Sequence, residues 1–128
     1  PSLESRYFSA VTGIDMDEAG LLEYGERIFN LQRAILIREG HRPKTDDAPA
    51  DFNFTDPVET VFMNPEVIVP GPGDEIVSHK GKTLDREVYE TLRREFYELR
   101  GWDVETGLQK KETLERLGLE ELIRDRSG

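Results

Sequence analysis

The 128-residue chain carries 27 acidic against 17 basic residues, a net charge of -10, with 36% hydrophobic and 34% charged residues and no cysteine. That length suits one domain with a modest core, and the acidic balance argues against nucleic acid or an anionic membrane surface as partner. No apolar run approaches the ~20 residues of a membrane span, no signal pattern opens the chain, and a cysteine-free chain needs no oxidising compartment, so cytoplasm is the expected location.

The first residue, Pro1, is not Met, which leads us to expect a chain processed or cut from something longer. Ser2–Val11 places Leu3, Tyr7 and Phe8 on one helical face, and Gly13 ends that helix. Asp15 is expected to open a long helix running to about Glu39, with Asp15 and Glu18 arranged like a capping box. Leu21, Gly25, Ile28, Gln32 and Ile35, flanked by Leu22, Phe29 and Leu36, make a wide stripe of the kind that suits burial on several sides. Gly40 fits the position just past the helix end, and Pro43 argues against the helix resuming.

From His41 to Lys82 the texture changes. Pro49, Pro57, Pro65, Pro70 and Pro72 join Gly71, Gly73 and Gly81 in a segment expected to wrap over a surface. Phe52, Phe54, Val61, Phe62, Val67, Ile68 and Val69 predict that it is docked, and Val67–Val69 with Glu75–Ser78 fit a small β-ribbon. Thr83 is the expected N-cap of a second long helix over Leu84–Arg100, whose apolar face is Leu84, Val88, Leu92, Phe96 and Leu99. A short helix near Lys111–Leu117 follows, closed by Gly118, and Leu119–Arg124 adds a last turn. The fold class is therefore all-α: one multihelical domain over residues 1–128, with a long Pro/Gly-rich irregular loop between two long helices. The stripes on Leu21–Leu36 and Leu84–Leu99 are expected to face each other as the core. Tyr7, Phe8 and Val11 are expected to be left exposed, with self-association through them as the consequence.

Three clusters invite a chemical reading. Asp15, Asp17, Gly20, Leu22, Glu23 and Glu26 keep the spacing of an EF-hand loop, but Ala19 stands where that loop needs an oxygen ligand. Acids at a helix N-terminus explain the same residues through the helix dipole. Arg38, Glu39, His41, Arg42, Lys44, Asp46 and Asp47 form a polar run in which His41 and Asp46 would be the acid–base pair. The simpler expectation is ion pairing between the helix end and the following loop. Arg100-Gly101-Trp102-Asp103 sets a Trp after a helix-terminating Gly, a geometry that packs the indole back on the protein. His79 lacks a second His or any Cys nearby, so a His-based metal site has no partners there. From the residues alone no catalytic, cofactor-binding or metal-binding residue can be assigned: each of the three is none.

Leu21–Phe52 and Glu95–Leu108, in this order, carry a family signature. YFSAVTGID (Tyr7–Asp15), GERIFNLQR (Gly25–Arg33), REG (Arg38–Gly40), DDAP (Asp46–Pro49), YELRGWD (Tyr97–Asp103) and ETLERLGLEE (Glu112–Glu121) are its landmarks. The ordered set resembles the C-terminal domain of the tungsten/molybdenum aldehyde ferredoxin oxidoreductase family. Asn64–Glu87 is similar to a branch with a longer loop here, which includes the aryl-CoA reductase relatives. The resemblance implies a parent enzyme that oxidises aldehydes to carboxylic acids, using a tungsten or molybdenum bis-pterin centre. Its electrons would pass through a 4Fe-4S cluster to ferredoxin. The cluster cysteines and an Asp-x-x-Gly-x-Cys pterin motif of the family lie upstream of the matched segment, so none of its functional residues maps onto a position here. This segment would be structural, with the upstream domains of the same enzyme as its partners. The alternative is a separately encoded interaction subunit docking on a redox partner.

Overall fold

The computed structural model describes residues 2–124, without the side chains of 123 and 124. The helices, in chain order, are α1 (Leu3–Thr12), α2 (Glu18–Arg38), α3 (Pro43–Asp46), α4 (Phe52–Thr55), α5 (Arg86–Leu99), α6 (Lys111–Arg116) and α7 (Glu121–Arg124). Between α4 and α5, β1 (Ile68–Pro70) pairs antiparallel with β2 (Ile76–Ser78). The fold is mostly helical, and this two-stranded sheet qualifies the all-α expectation. The chain divides into two compact units, one from Pro1–Lys44 with Tyr97–Gly128 and the other Thr45–Phe96.

In the first unit, helix ends follow local chemistry. The Ser2 hydroxyl accepts from the Ser5 amide at 3.3 Å and caps α1. Asp17, not Asp15, caps α2, its carboxylate accepting from the Gly20 amide at 2.7 Å. The expected start is therefore two residues early: Asp15 lies outside the helix, and its place in a capping box passes to a residue whose oxygen reaches an orphan N–H. At the C-terminal ends, Gly40, Gly101 and Gly118 all have positive φ, and each is followed by an amide reaching back five residues. His41 donates to the Leu36 carbonyl, Trp102 to Tyr97 and Leu119 to Leu114, the pairing of a Schellman motif. Around the last of these, Leu114, Leu117 and Leu119 form a buried cluster joined by Leu122. On α1, Tyr7 and Val11 are exposed, whereas Phe8 is half-buried with its ring 5.8 Å from that of Tyr24.

Pro43 has a further role. It does not continue α2, but it opens a separate short helix, α3, because the first helical position needs neither an N–H donor nor any other φ.

The second unit is held by loop hydrogen bonds and by the hairpin. Register runs Ile68 to Ser78, Val69 to Val77 and Pro70 to Ile76. The Asn64 side chain closes the preceding turn, donating to the Ile68 carbonyl at 2.6 Å and accepting from its amide at 3.0 Å. Val67 sits at φ 50, a conformation a β-branched residue rarely adopts, with its carbonyl accepting from the His79 amide at 2.9 Å. Helix α5 starts at Arg86, not Leu84. The Asp85 carboxylate takes the Glu87 and Val88 amides at 2.8 and 3.0 Å, so Asp85 displaces Thr83 as the cap.

The largest correction concerns the core. Leu84, Val88, Leu92, Phe96 and Leu99 are all exposed, as are Leu22, Ile28, Phe29, Ile35 and Leu36. These residues are exposed, so neither stripe forms a buried core. The faces that α2 and α5 bury carry Asn30, Arg33 and Tyr97.

Candidate functional site

The best-built site is a polar and aromatic node inside the first unit. On α2, Phe29, Asn30 and Arg33 fall on neighbouring helical positions, and the Gly101 turn delivers Trp102 against them. Trp102 is 1% exposed. Its indole N–H donates to Asn30 Oδ1 at 2.9 Å, and its ring stacks on Phe29 at 5.7 Å with 6° between planes. The Arg33 guanidinium lies over the same ring, 4.3 Å from its centroid, and 5.9 Å from that of Tyr97. The Arg100 guanidinium lies over the Phe29 ring, 4.9 Å from its centroid.

The loop after α5 completes the node. Asp103 and Leu108 join backbone at 2.7 Å, Trp102 bridges Gln109, and Gly107 has φ 68. Arg33 Nη2 donates to the Gly107 carbonyl at 3.0 Å, and Gln109 Nε2 donates to the Asn30 carbonyl at 2.5 Å. The Asn30 amide donates to the Glu26 carbonyl at 3.0 Å, and the Thr113 hydroxyl to Gly101 at 2.7 Å. A Cβ on Gly107 would stand 2.5 Å from Pro43 Cβ, and one on Gly101 2.2 Å from Thr113 Oγ1. Donors and acceptors here are aimed at one another, so the node holds α2 to the loop following α5.

Electrostatics around the node are modest. Asp103 accepts from the Thr106 hydroxyl and from the Thr106 and Glu105 amides, and the Thr106 hydroxyl bond leads in holding its carboxyl below the ordinary range. Arg116 forks onto Glu26 at 3.2 and 2.6 Å, a bond that raises its pKa further. Beside that pair, a cleft of about 380 Å³ is lined by Met16, Glu23, Tyr24 and Arg27 among others.

The residues singled out in the sequence fare differently. Trp102 is packed into the protein, as expected. Asp17, Gly20, Leu22, Glu23 and Glu26 lie on the cap and body of α2, so their EF-hand spacing is unrolled into a helix instead of a loop. His41 lies in the first unit with Nε2 3.4 Å from Arg33, while Asp46 belongs to the second, where its carboxylate accepts from Thr45 at 2.7 Å. Arg38 pairs with its neighbour Glu39 at 3.6 Å, both exposed. Asn30, Arg33 and Gln109 were not foreseen as site residues. No pattern in the sequence singled them out, since α2 also carries Glu18, Glu23, Glu26, Arg27, Gln32 and Arg38.

In the second unit, the Tyr89 hydroxyl donates to the Asp47 carbonyl, and burial raises its pKa. A groove of about 510 Å³ there is lined by Phe52, Val58, Val67, His79 and Lys82 among others. Among the described residues, no three His, Asp or Glu side chains gather as metal ligands. No described helix is long and apolar enough to cross a membrane.

Comparison with known proteins supplies what the geometry does not. Residues 1–119 match a family model described as aldehyde ferredoxin oxidoreductase, domains 2 and 3. The chain is 34% identical over 113 residues to a tungsten-containing aldehyde ferredoxin oxidoreductase of Pyrococcus furiosus, covering 88% of this chain and 15% of that protein. It is 32% identical over 118 residues to an aliphatic sulfonate oxidoreductase, WOR-like subunit, of the same organism, covering 91% of this chain and 17% of the relative. The chain thus spans about a sixth of the length of these relatives, and it belongs to the aldehyde ferredoxin oxidoreductase family.

Proposed function

We propose that this chain is the C-terminal helical domain of an oxidoreductase that converts an aldehyde and water to a carboxylic acid. Two electrons and two protons are released, and the electrons reach ferredoxin through a 4Fe-4S cluster. When bound, a tungsten or molybdenum bis-pterin centre supplies the two-electron chemistry. The chain's own residues do not fit the ligand chemistry of the cluster. Iron–sulfur clusters are held mainly by thiolates, and the sequence has no cysteine. The role here is structural: the node around Trp102 fixes α2 against the loop following α5, and the domain serves as a wall for the upstream domains of the same enzyme. The cytoplasm is the proposed location.

The observation that carries this reading is the ordered match over residues 1–119. A second reading, an aliphatic sulfonate as substrate, is supported by the nearly equal identity to the sulfonate oxidoreductase subunit. The test is to purify the natural protein containing this chain, measure tungsten, molybdenum and iron by mass spectrometry, and follow viologen reduction with aldehydes and with alkanesulfonates. Bound tungsten or molybdenum with aldehyde-dependent reduction is expected. Sulfonate-dependent reduction alone would replace the first reading by the second. A protein with neither metal and neither activity would overturn both.

A further inference from the structure

The part of helix α5 that lies in the second unit, Arg86–Phe96, presents two unlike faces. One is tied to its own unit. Arg86 pairs with Asp51 at 3.0 Å and lies 4.0 Å from the Phe54 ring centroid, and Tyr89 meets Phe54 edge-on at 5.7 Å. The Tyr89 hydroxyl also reaches the Asp47 carbonyl. The other face carries Val88 and Leu92, exposed by 55% and 58%, and Leu84, just before the helix, is 48% exposed. Val88 and Leu92 stand at i and i+4, on one ridge of the helix.

A soluble surface seldom lines up aliphatic side chains on such a ridge unless something covers it. Two observations say what does. The chain accounts for only 15% and 17% of its relatives, and the matching family description numbers further domains. Glu95, exposed on the same side by helical spacing, adds acid to a chain already at -10. A second copy laid on this ridge would bring carboxylate against carboxylate, which disfavours self-pairing.

We infer that Leu84, Val88 and Leu92 seat an apolar helix with a Lys- or Arg-bearing rim, contributed by the remainder of the same oxidoreductase polypeptide. This rests on the function proposed above. A ridge of this spacing fits the groove between rows of side chains on a crossing helix, and the basic rim answers Glu95.

The test uses the complete natural enzyme. Hydroxyl-radical footprinting should leave Leu84, Val88 and Leu92 protected as strongly as Leu114, which is buried in its own unit. Reactivity in proportion to their exposure here would overturn the inference. In the same enzyme, Leu92→Glu should lower the yield of folded protein several-fold, while Leu92→Met should restore it. A Leu92→Glu enzyme that accumulates normally would count against a covered ridge, and one that accumulates at half the native mass would show that a second copy covers it. Both outcomes overturn the inference. Metal content and substrate oxidation are measured on the same preparation. If those are present and the ridge is reactive, only this inference fails; if they are absent, the functional reading fails whatever the footprint.

Discussion

The two units solve the burial problem in opposite ways. Every buried residue among those described lies in the first unit, and the second has none. The first unit buries Asn30, Arg33 and Gln109 along with Trp102, Tyr97 and Leu114, and hydrogen bonds tie the indole to Asn30 and the Gln109 and Arg33 side chains to backbone carbonyls. The second relies on backbone bonds across its loops, a short hairpin and partly exposed aromatic contacts, while leaving apolar residues such as Phe62 and Met63 in solvent. Helix α5 contributes to both, with Tyr97 buried and Val88 and Leu92 open. The lesson is that amphipathicity states that a face needs cover. It does not state who supplies it.

The difference predicts unequal responses to truncation. Trp102→Ala removes the stacked indole, the cation–π partner of Arg33 and the donor to Asn30. It should cost ~3–5 kcal/mol, measured by urea denaturation of the chain. A loss under 1 kcal/mol would remove the node from the centre of the first unit. Next in size is Gly107→Ala. Its Cβ would collide with Pro43 and crowd the Tyr97 hydroxyl, at a φ that alanine resists, so a loss of about 1–3 kcal/mol is expected. Asn30→Ala should cost ~1–3 kcal/mol, chiefly because the buried indole N–H loses its acceptor. Asn30→Asp should recover part of that loss in the same titration, since a carboxylate keeps the acceptor.

In the second unit the corresponding experiment should do little. Leu92→Ala, tested in the 128-residue chain, should change stability by no more than ~0.5 kcal/mol, since more than half of the side chain is already in water. The same holds in kind for Phe96, whose 39% exposure replaces the deep burial its position in the stripe suggested. A loss above 2 kcal/mol for Leu92→Ala would mean that the ridge packs within the chain, and would erase the contrast between the units.

These outcomes follow what was legible in the sequence. Helix ends were readable wherever glycine needed positive φ: Gly13, Gly40, Gly101 and Gly118 each close a helix. The ribbon in the Pro/Gly-rich stretch was readable from Val67–Val69 and Glu75–Ser78, because turn residues separate two short β-branched runs. Trp102 packing back after Gly101 was readable for the same reason as the turn itself. N-caps were less so, since several oxygens compete for the same amides and only geometry picks Asp17 over Asp15 and Asp85 over Thr83. The direction of the apolar stripes was not legible at all. Periodicity gives the angle between faces of one helix, while the interior of the first unit is organised by Asn30 and Arg33, residues that a hydrophobicity pattern scores as surface.

The smallest effect lies at the rim of the node, and it can be read by titration. Asp103 holds the turn before Gly107 by accepting from the Thr106 hydroxyl and from two amides, and these bonds favour the ionised carboxylate. Its folded pKa is therefore below the unfolded value of about 3.9. The stability it contributes is fully present above that unfolded value and is lost as pH falls through the lower folded one, so neutral solution never tests it. The carbon NMR signal of the Asp103 carboxyl should titrate below that of an unstructured Asp. Thr106→Val removes the hydroxyl bond, the leading cause of the shift, and should bring the pKa part of the way back, because both amides remain. An Asp103 that titrates at the ordinary value in the native chain, or one indifferent to Thr106→Val, would mean that this turn is not held by its side chain. The Gly107 carbonyl that Arg33 grips would then owe its position to the buried side of the loop alone.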